Sequence, residues 1–127
     1  MAVLAGGLGT RLGEIAQGVP KPMLPIGDRP FLELVIESFA ARGLRDFVLL
    51  TGYRGEMMEK HFGDGRRFGA RIEYSRETTP LGTGGAIREA RRLLGDPFLM
   101  TYGDVLRRFD YDRFVLAHQE PCLAVYR

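Results

Sequence analysis

Apolar residues along the chain fall into two patterns, short continuous runs and helically spaced positions, and the two alternate. Residues 1–4 form a short apolar run that passes directly into Ala5-Gly6-Gly7-Leu8-Gly9-Thr10-Arg11. Phe31, Leu32, Val35, Ile36 and Phe39 then recur at helical spacing, with Asp28 as the expected N-cap, Pro30 in the first turn and Gly43 closing the run. Phe47-Val48-Leu49-Leu50 is apolar throughout, which predicts a strand over 46–51 covered on both faces. Gly52 marks its exit, and a short helix over 56–61 follows, with Met57 and Met58 on the covered side. After the turn Gly63-Asp64-Gly65 comes a strand over 70–74. Thr83 is placed to cap a helix over 84–94 whose inward face carries Ile87, Ala90 and Leu94, and Gly95 and Pro97 punctuate its end. A strand over 98–101 leads into Tyr102-Gly103-Asp104, then a helix over 110–118 and a strand over 123–126. Strands separated by helices at this rhythm predict an α/β sandwich with a mostly parallel sheet. A last strand running to Arg127 would leave an unpaired edge, so the natural protein is expected to continue beyond it.

Composition narrows the function classes. A chain of 127 residues, 45% hydrophobic and 27% charged, suits one domain with a core of its own. Its 18 basic and 16 acidic side chains leave a net charge of +2, and pairs such as Arg66-Arg67 and Arg91-Arg92 do not form a continuous basic patch. This gives no reason to invoke nucleic acid or an acidic membrane surface. Cys122, the single cysteine, excludes an intrachain disulfide and reads as a thiol in the last strand. No run approaches the roughly 18 apolar residues of a membrane span, and no signal-like segment opens the chain, so cytoplasmic residence is the expectation.

The 17 glycines are concentrated in clusters, and the clusters carry the chemistry. Gly6, Gly7 and Gly9 fall at the carboxyl end of the first strand, where open α/β sheets collect ligands. Backbone N–H groups in such a loop can surround anionic oxygens. Arg11 adds a fork that can bond phosphate at two oxygens, and Lys21 is held between Pro20 and Pro22. The loop lacks the Gly-Lys-Ser/Thr ending of the common nucleoside-triphosphatases. It is not followed at once by a helix, as the dinucleotide fingerprint requires, because Gly13, Gly18, Pro20, Pro22 and Pro25 oppose one. The second cluster, Pro80-Leu81-Gly82-Thr83-Gly84-Gly85-Ala86, lies on the same side of the sheet and leaves room for a flat base and ribose. Thr83 has two readings, helix cap and nucleotide contact, which can coexist. Glu77 precedes this loop, with solvent exposure favoured over a role facing the nucleotide. His61 and His118 sit in no metal-like cluster and read as helix-surface or packing residues.

Leu4-Ala5-Gly6-Gly7-Leu8-Gly9-Thr10-Arg11-Leu12, followed by Pro20-Lys21-Pro22-Met23, resembles the signature of the sugar-1-phosphate nucleotidyltransferase family. The resemblance runs over essentially the whole chain, which would form the N-terminal nucleotide-binding portion, residues 1–127, of a Rossmann-like three-layer domain, truncated at about half its usual length. It implies that an NTP and a sugar 1-phosphate give an NDP-sugar and pyrophosphate. Catalysis would be shared among Arg11, Lys21 and Asp104, while Ala5, Gly6, Gly7, Gly9, Thr10, Gly82, Thr83 and Gly84 contact the nucleotide. The Gly-Asp step after the fourth strand matches the family's metal-binding aspartate, and Mg²⁺ suits carboxylate and phosphate oxygens, so Asp104 is the expected ligand. Pro22-Met23, Arg29-Pro30-Phe31-Leu32-Glu33 and Pro80 to Ala86 look closest to enzymes that activate heptose or mannose 1-phosphate with GTP. A homo-oligomer is left open.

The sequence departs from the family pattern in three places. Tyr102 stands where Asn is usual, the opening is a residue or two short, and no later region supplies a second metal-binding aspartate or a sugar pocket. Activity is therefore expected of the full-length protein and is left open for this chain. The rival readings are a non-catalytic or regulatory nucleotide-binding remnant and a phosphate-binding structural module. The second makes Asp104 and the paired glycine loops coincidental.

Overall fold

The computed structural model describes residues 1–7, 18–106 and 110–117. Among the described residues four parallel strands form the sheet: β1 (Ala2–Leu4), β4 (Asp46–Thr51), β5 (Arg71–Arg76) and β6 (Met100–Tyr102), in the order β5-β4-β1-β6. A small antiparallel ribbon, β2 (Pro25–Ile26) with β3 (Arg29–Pro30), precedes helix α1 (Phe31–Ala40). Helix α2 (Gly55–Phe62) joins β4 to β5, α3 (Gly82–Glu89) joins β5 to β6, and α4 (Tyr111–Ala117) follows β6. The α/β class and the parallel sheet are as the sequence predicts.

Period-2 alternation in the strands sends side chains to both faces of the sheet. Val3, Phe47, Leu49 and Ile72 join one core cluster with Leu32, Ile36 and Phe39 of α1 and Met58 and Phe62 of α2. Ala2, Val48 and Leu50 join a second cluster with Ala86, Ala90 and Leu94. The result is three layers, with α1 and α2 on one face and α3 on the other. The chain moves outward from β1 to β4 to β5 and then returns to the far side of β1 to lay down β6. That reversal explains why α3 covers the opposite face, and it opens a crevice beyond the carboxyl ends of β1 and β6. Among the described residues no helix is long and apolar enough to cross a membrane.

Several boundaries differ from the sequence expectation. Asp28 does not cap α1; Pro30 occupies the N-cap position, and the N–H of Phe31 donates to the Leu24 carbonyl at 2.9 Å. Asp28 is instead taken into the two-residue turn of the β2–β3 ribbon beside Gly27, whose φ of +66° glycine tolerates. Thr83 lies inside the first turn of α3, exposed and making no cap bond, because the helix already begins at Gly82. That helix tightens into a 3₁₀ turn at Ala90–Arg92 rather than running regularly to residue 94. Strand β6 is displaced toward Tyr102, because its register is set by pairing with β1, Leu4 opposite Tyr102. Met58 is fully buried while Met57 is half-buried. The expected strand over 123–126, Cys122 and His118 lie outside the described residues.

One polar network ties the ribbon to two helices. Arg29 Nε donates to Glu33 Oε1 at 2.5 Å, and Arg29 Nη2 lies 2.5 Å from Glu37. The other Glu33 oxygen is 2.7 Å from His61 Nε2 on α2. The His61 ring stacks on Phe68 at 5.9 Å, so the packing role read from the sequence holds. Burial alone would raise the Glu33 carboxyl. Hydrogen bonds from His61 and Arg29, together with the Arg29 charge, outweigh that and hold it below the ordinary value of 4.5. A carboxyl lowered on folding adds stability that is complete above the unfolded value and is lost as pH falls through the folded one. Stability measured by urea denaturation should therefore decline as pH falls below about 4.5. Glu33→Gln should flatten that slope, and an unchanged slope would remove Glu33 from the account of acid sensitivity.

Candidate functional site

The site is assembled at the carboxyl edge of the sheet by backbone bonds that place successive strand ends side by side. The N–H of Ala5 donates to Leu50 O at 2.9 Å, that of Glu77 to Thr51 O at 2.9 Å, and that of Gly103 to Leu4 O at 2.8 Å. The segments leaving β1, β4, β5 and β6 therefore emerge on one edge, at the position expected for ligands of open α/β sheets.

Lys21 and Asp104, 83 residues apart in sequence, meet at the crevice between β1 and β6, with Nζ 2.5 Å from Oδ2. Packing brings them there. Pro22 and Met23, in the one-turn 3₁₀ segment Lys21–Met23, are buried. A Cβ on Gly103 would lie 3.4 Å from Pro22 Cβ and 3.3 Å from Leu32 Cδ1, so the turn, the strand exit and α1 are in close contact. Anchoring the turn through its apolar members projects Lys21 to the edge, where its side chain is 46% exposed against 27% for Asp104. Among the described residues no group of three or more acidic, histidine or cysteine side chains gathers in a metal-holding arrangement. Asp104 is a single carboxylate. Mg²⁺ usually takes one or two carboxylates and completes its shell with substrate phosphates and water, so the residues present suit it in a nucleotide complex.

A second feature is an open cleft of about 640 Å³ beyond the ends of β1, β4 and β5. Gly6, Gly52, Tyr53 and Arg54 line one part of it, and Arg76 with residues 77–80 the rest. Glu77, for which solvent exposure was favoured, is half-buried here. Its Oε2 accepts from the Leu81 N–H at 3.1 Å, which closes the turn leading into α3. Its Oε1 lies against the two strand-end glycines, 2.9 Å from where a Cβ would stand on either Gly6 or Gly52. The sequence signal for this placement was available, since Glu77 directly follows a strand and precedes the second glycine loop. Tyr53 and Arg54 were not singled out from the sequence at all.

The remaining candidates divide as follows. Ala5 is buried beneath the loop, while Gly7 is exposed with no atom within 4 Å of a Cβ position. Gly82 has a φ of +66° and opens α3, and Thr83 and Gly84 are exposed in its first turn. Gly9, Thr10 and Arg11 lie outside the described residues.

The fold and edge geometry are those of an α/β domain with an open cleft at the carboxyl ends of its parallel strands, and the comparisons specify its family. The profile of the nucleotidyl transferase family matches residues 2–123. The chain belongs to this family, that of the sugar-1-phosphate nucleotidyltransferases. It is 39% identical over 123 residues to the D-glycero-alpha-D-manno-heptose 1-phosphate guanylyltransferase of Campylobacter jejuni, covering 97% of this chain and 55% of that protein. It is 42% identical over 118 residues to the mannose-1-phosphate guanylyltransferase of Mycobacterium tuberculosis, covering 92% of this chain and 33% of that protein. Among solved structures, HddC from Yersinia pseudotuberculosis complexed with GMP-PN superposes with a TM-score of 0.82 at 32% identity. That match covers 91% of this chain and 52% of HddC. The chain thus spans about half the length of the Campylobacter relative and of HddC, and a third of the Mycobacterium one.

The packing of Glu77 between two glycines gives a test of this geometry. Gly6→Ala should destabilise the fold by about 1–2 kcal/mol, chiefly by pushing on the movable Glu77 carboxylate. Gly52→Ala should cost more, about 2–3 kcal/mol, because its Cβ would also stand 2.9 Å from the Gly6 carbonyl, which is backbone. In a Glu77→Ala background the Gly6→Ala cost should shrink more than the Gly52→Ala cost. Equal relief in the two cycles, read from denaturation midpoints, would contradict the contacts described.

Proposed function

We propose that this chain is the nucleotide-binding portion of an enzyme that forms an NDP-sugar and pyrophosphate from an NTP and a sugar 1-phosphate, with GTP as the nucleotide. The observation that carries the reading is the meeting of Lys21 and Asp104 at the crevice beside the Gly6-Gly7 loop, in a chain of the nucleotidyl transferase family. A phosphate oxygen of the sugar 1-phosphate attacks the α-phosphorus of the NTP. The new P–O bond forms as the bond to the β-phosphate oxygen breaks, and pyrophosphate leaves with that electron pair. Such a reaction needs placement and charge stabilisation rather than a nucleophilic side chain. Lys21 and Arg11 are assigned to the phosphate charge, and the loop of Gly6, Gly7 and Gly9 to backbone N–H contacts. Asp104 would hold Mg²⁺, which when bound offsets the negative charge of the phosphates.

Support for guanine comes from Glu77. A carboxylate in the cleft suits a base edge that offers adjacent donors, and guanine alone among the common bases offers N1–H beside an amino group. Uracil and thymine set carbonyl oxygens on both sides of a single N–H, which a carboxylate repels. The names of the two guanylyltransferase relatives and the GMP-PN complex of HddC point the same way, and those relatives suggest heptose or mannose 1-phosphate as the acceptor. One second reading is a chain that binds nucleotide without turning it over, and the assay below separates it from the first.

The test is titration of GTP, UTP and CTP against the chain with and without Mg²⁺, alongside an assay for GDP-sugar from either sugar phosphate. GTP should bind most tightly, and Glu77→Gln should narrow its lead over UTP. Asp104→Asn should abolish the gain in affinity from Mg²⁺ and, where turnover is present, lower it by roughly 10²-fold. Nucleotide binding without GDP-sugar formation selects the second reading. The absence of any nucleotide binding would sink both.

A further inference from the structure

Arg54 sits where β4 gives way to α2 and carries the only positive φ among the described non-glycine residues, +52°. An arginine in the left-handed region is strained, and glycine would hold the same backbone more readily. Neither ion pairing nor burial explains the choice. Arg54 is exposed, and among the described residues it has no carboxylate partner, whereas Arg76, the other cation lining the same cleft, is paired with Glu56 at 2.7 Å.

Two contacts nevertheless hold the guanidinium. It lies over the Tyr53 ring at 5.8 Å from the centroid. It also lies against the backbone of Gly18, where a Cβ would stand 3.1 to 3.3 Å from its Nη1, Cζ and Nη2 atoms. Gly18, with a φ of +80°, lies three residues before Lys21. The guanidinium is therefore held between the Tyr53 ring and Gly18, at the wall of the cleft.

The geometry points to Arg54 as a further substrate-contacting residue, a pre-placed cation that bonds the phosphate groups of a nucleotide in the cleft. This rests on the nucleotide-binding reading above and adds a phosphate contact from the end of β4 to those assigned to the first loop and to Lys21. A held guanidinium offers phosphate a fork of N–H donors with little ordering left to do. Tyr53 and Gly18 supply that ordering, and the strained backbone aims it.

The substitution Arg54→Gly separates this role from a structural one, because it removes the cation while relieving the backbone. The wild type, Arg54→Gly and Arg54→Lys would be titrated with GTP and with guanosine, the latter by competition, and each protein's melting temperature recorded. Arg54→Gly should melt no lower than wild type and bind GTP about 10-fold more weakly, the size expected for one charge-assisted contact. Guanosine affinity should stay within about 2-fold, since the lost contact is to phosphate, and Arg54→Lys should fall between. A wild type that binds GTP while Arg54→Gly binds it equally well overturns the role of Arg54 alone. Equal losses for GTP and guanosine overturn the phosphate contact. A wild type that binds no GTP overturns the nucleotide reading and this inference with it.

Discussion

The candidate site depends on the position of a strand only three residues long. Ala2–Leu4 pairs with β4 on one side and β6 on the other, and both pairings are parallel. With β1 at the point where the strand order reverses, Gly6 and Gly7, which follow it, stand at the edge where open α/β sheets collect ligands. Every site feature follows from that one placement. The Gly6-Gly7 loop leaves β1 directly, Asp104 is delivered by the neighbour on one side, and Gly52 and Arg54 by the neighbour on the other. Burial of Ala2 and Val3 at 0% exposure makes the strand part of both cores despite its length.

The Lys21–Asp104 pair does little to hold the edge together. An ion pair whose partners are 46% and 27% exposed adds little to stability, about 0–1 kcal/mol at most. The turn that carries Lys21 is held without it, through buried Pro22 and Met23 and through the contact of Pro22 with Gly103. Packing therefore fixes the charges, rather than the charges fixing the packing. A cation and a carboxylate held by their neighbours at a strand edge remain available to a ligand, which an ion pair that carried the fold would not.

How much of this was legible in the sequence depends on whether the signal was local. The β4 strand was read with its bounds intact, because Phe47-Val48-Leu49-Leu50 is apolar at every position and both faces are covered. The apolar spacing of α1 marked the face that packs under the sheet. The two glycine loops and the Gly-Asp step were recognisable because their residue types and order are distinctive. What failed was decided by distant partners. The β2–β3 ribbon is two short pairs that gain their support from Leu24, α1 and the Arg29–Glu33–His61 network, and no periodicity announces it. That ribbon took Asp28 away from the helix cap. Thr83 lost its capping role for a similar reason, since Gly82 let the helix begin two residues earlier and the Leu81 N–H found Glu77 instead.

Glu77 joins these two strands of argument. Its carboxylate could not occupy its place if either Gly6 or Gly52 carried a side chain, because both Cβ positions fall 2.9 Å from Oε1. In the family signature Gly6 is naturally read as making room for a ligand. In this chain it also makes room for a protein carboxylate, and Gly52, outside the signature, does the same from the neighbouring strand. Two glycines just beyond the ends of adjacent parallel strands thus define one acidic position in the cleft, while the Leu81 N–H bonds the other oxygen of that carboxylate. An oxygen held this way is a directed acceptor rather than a diffuse negative charge. Its position is set by the backbone just beyond β1 and β4, where neither glycine brings a side chain.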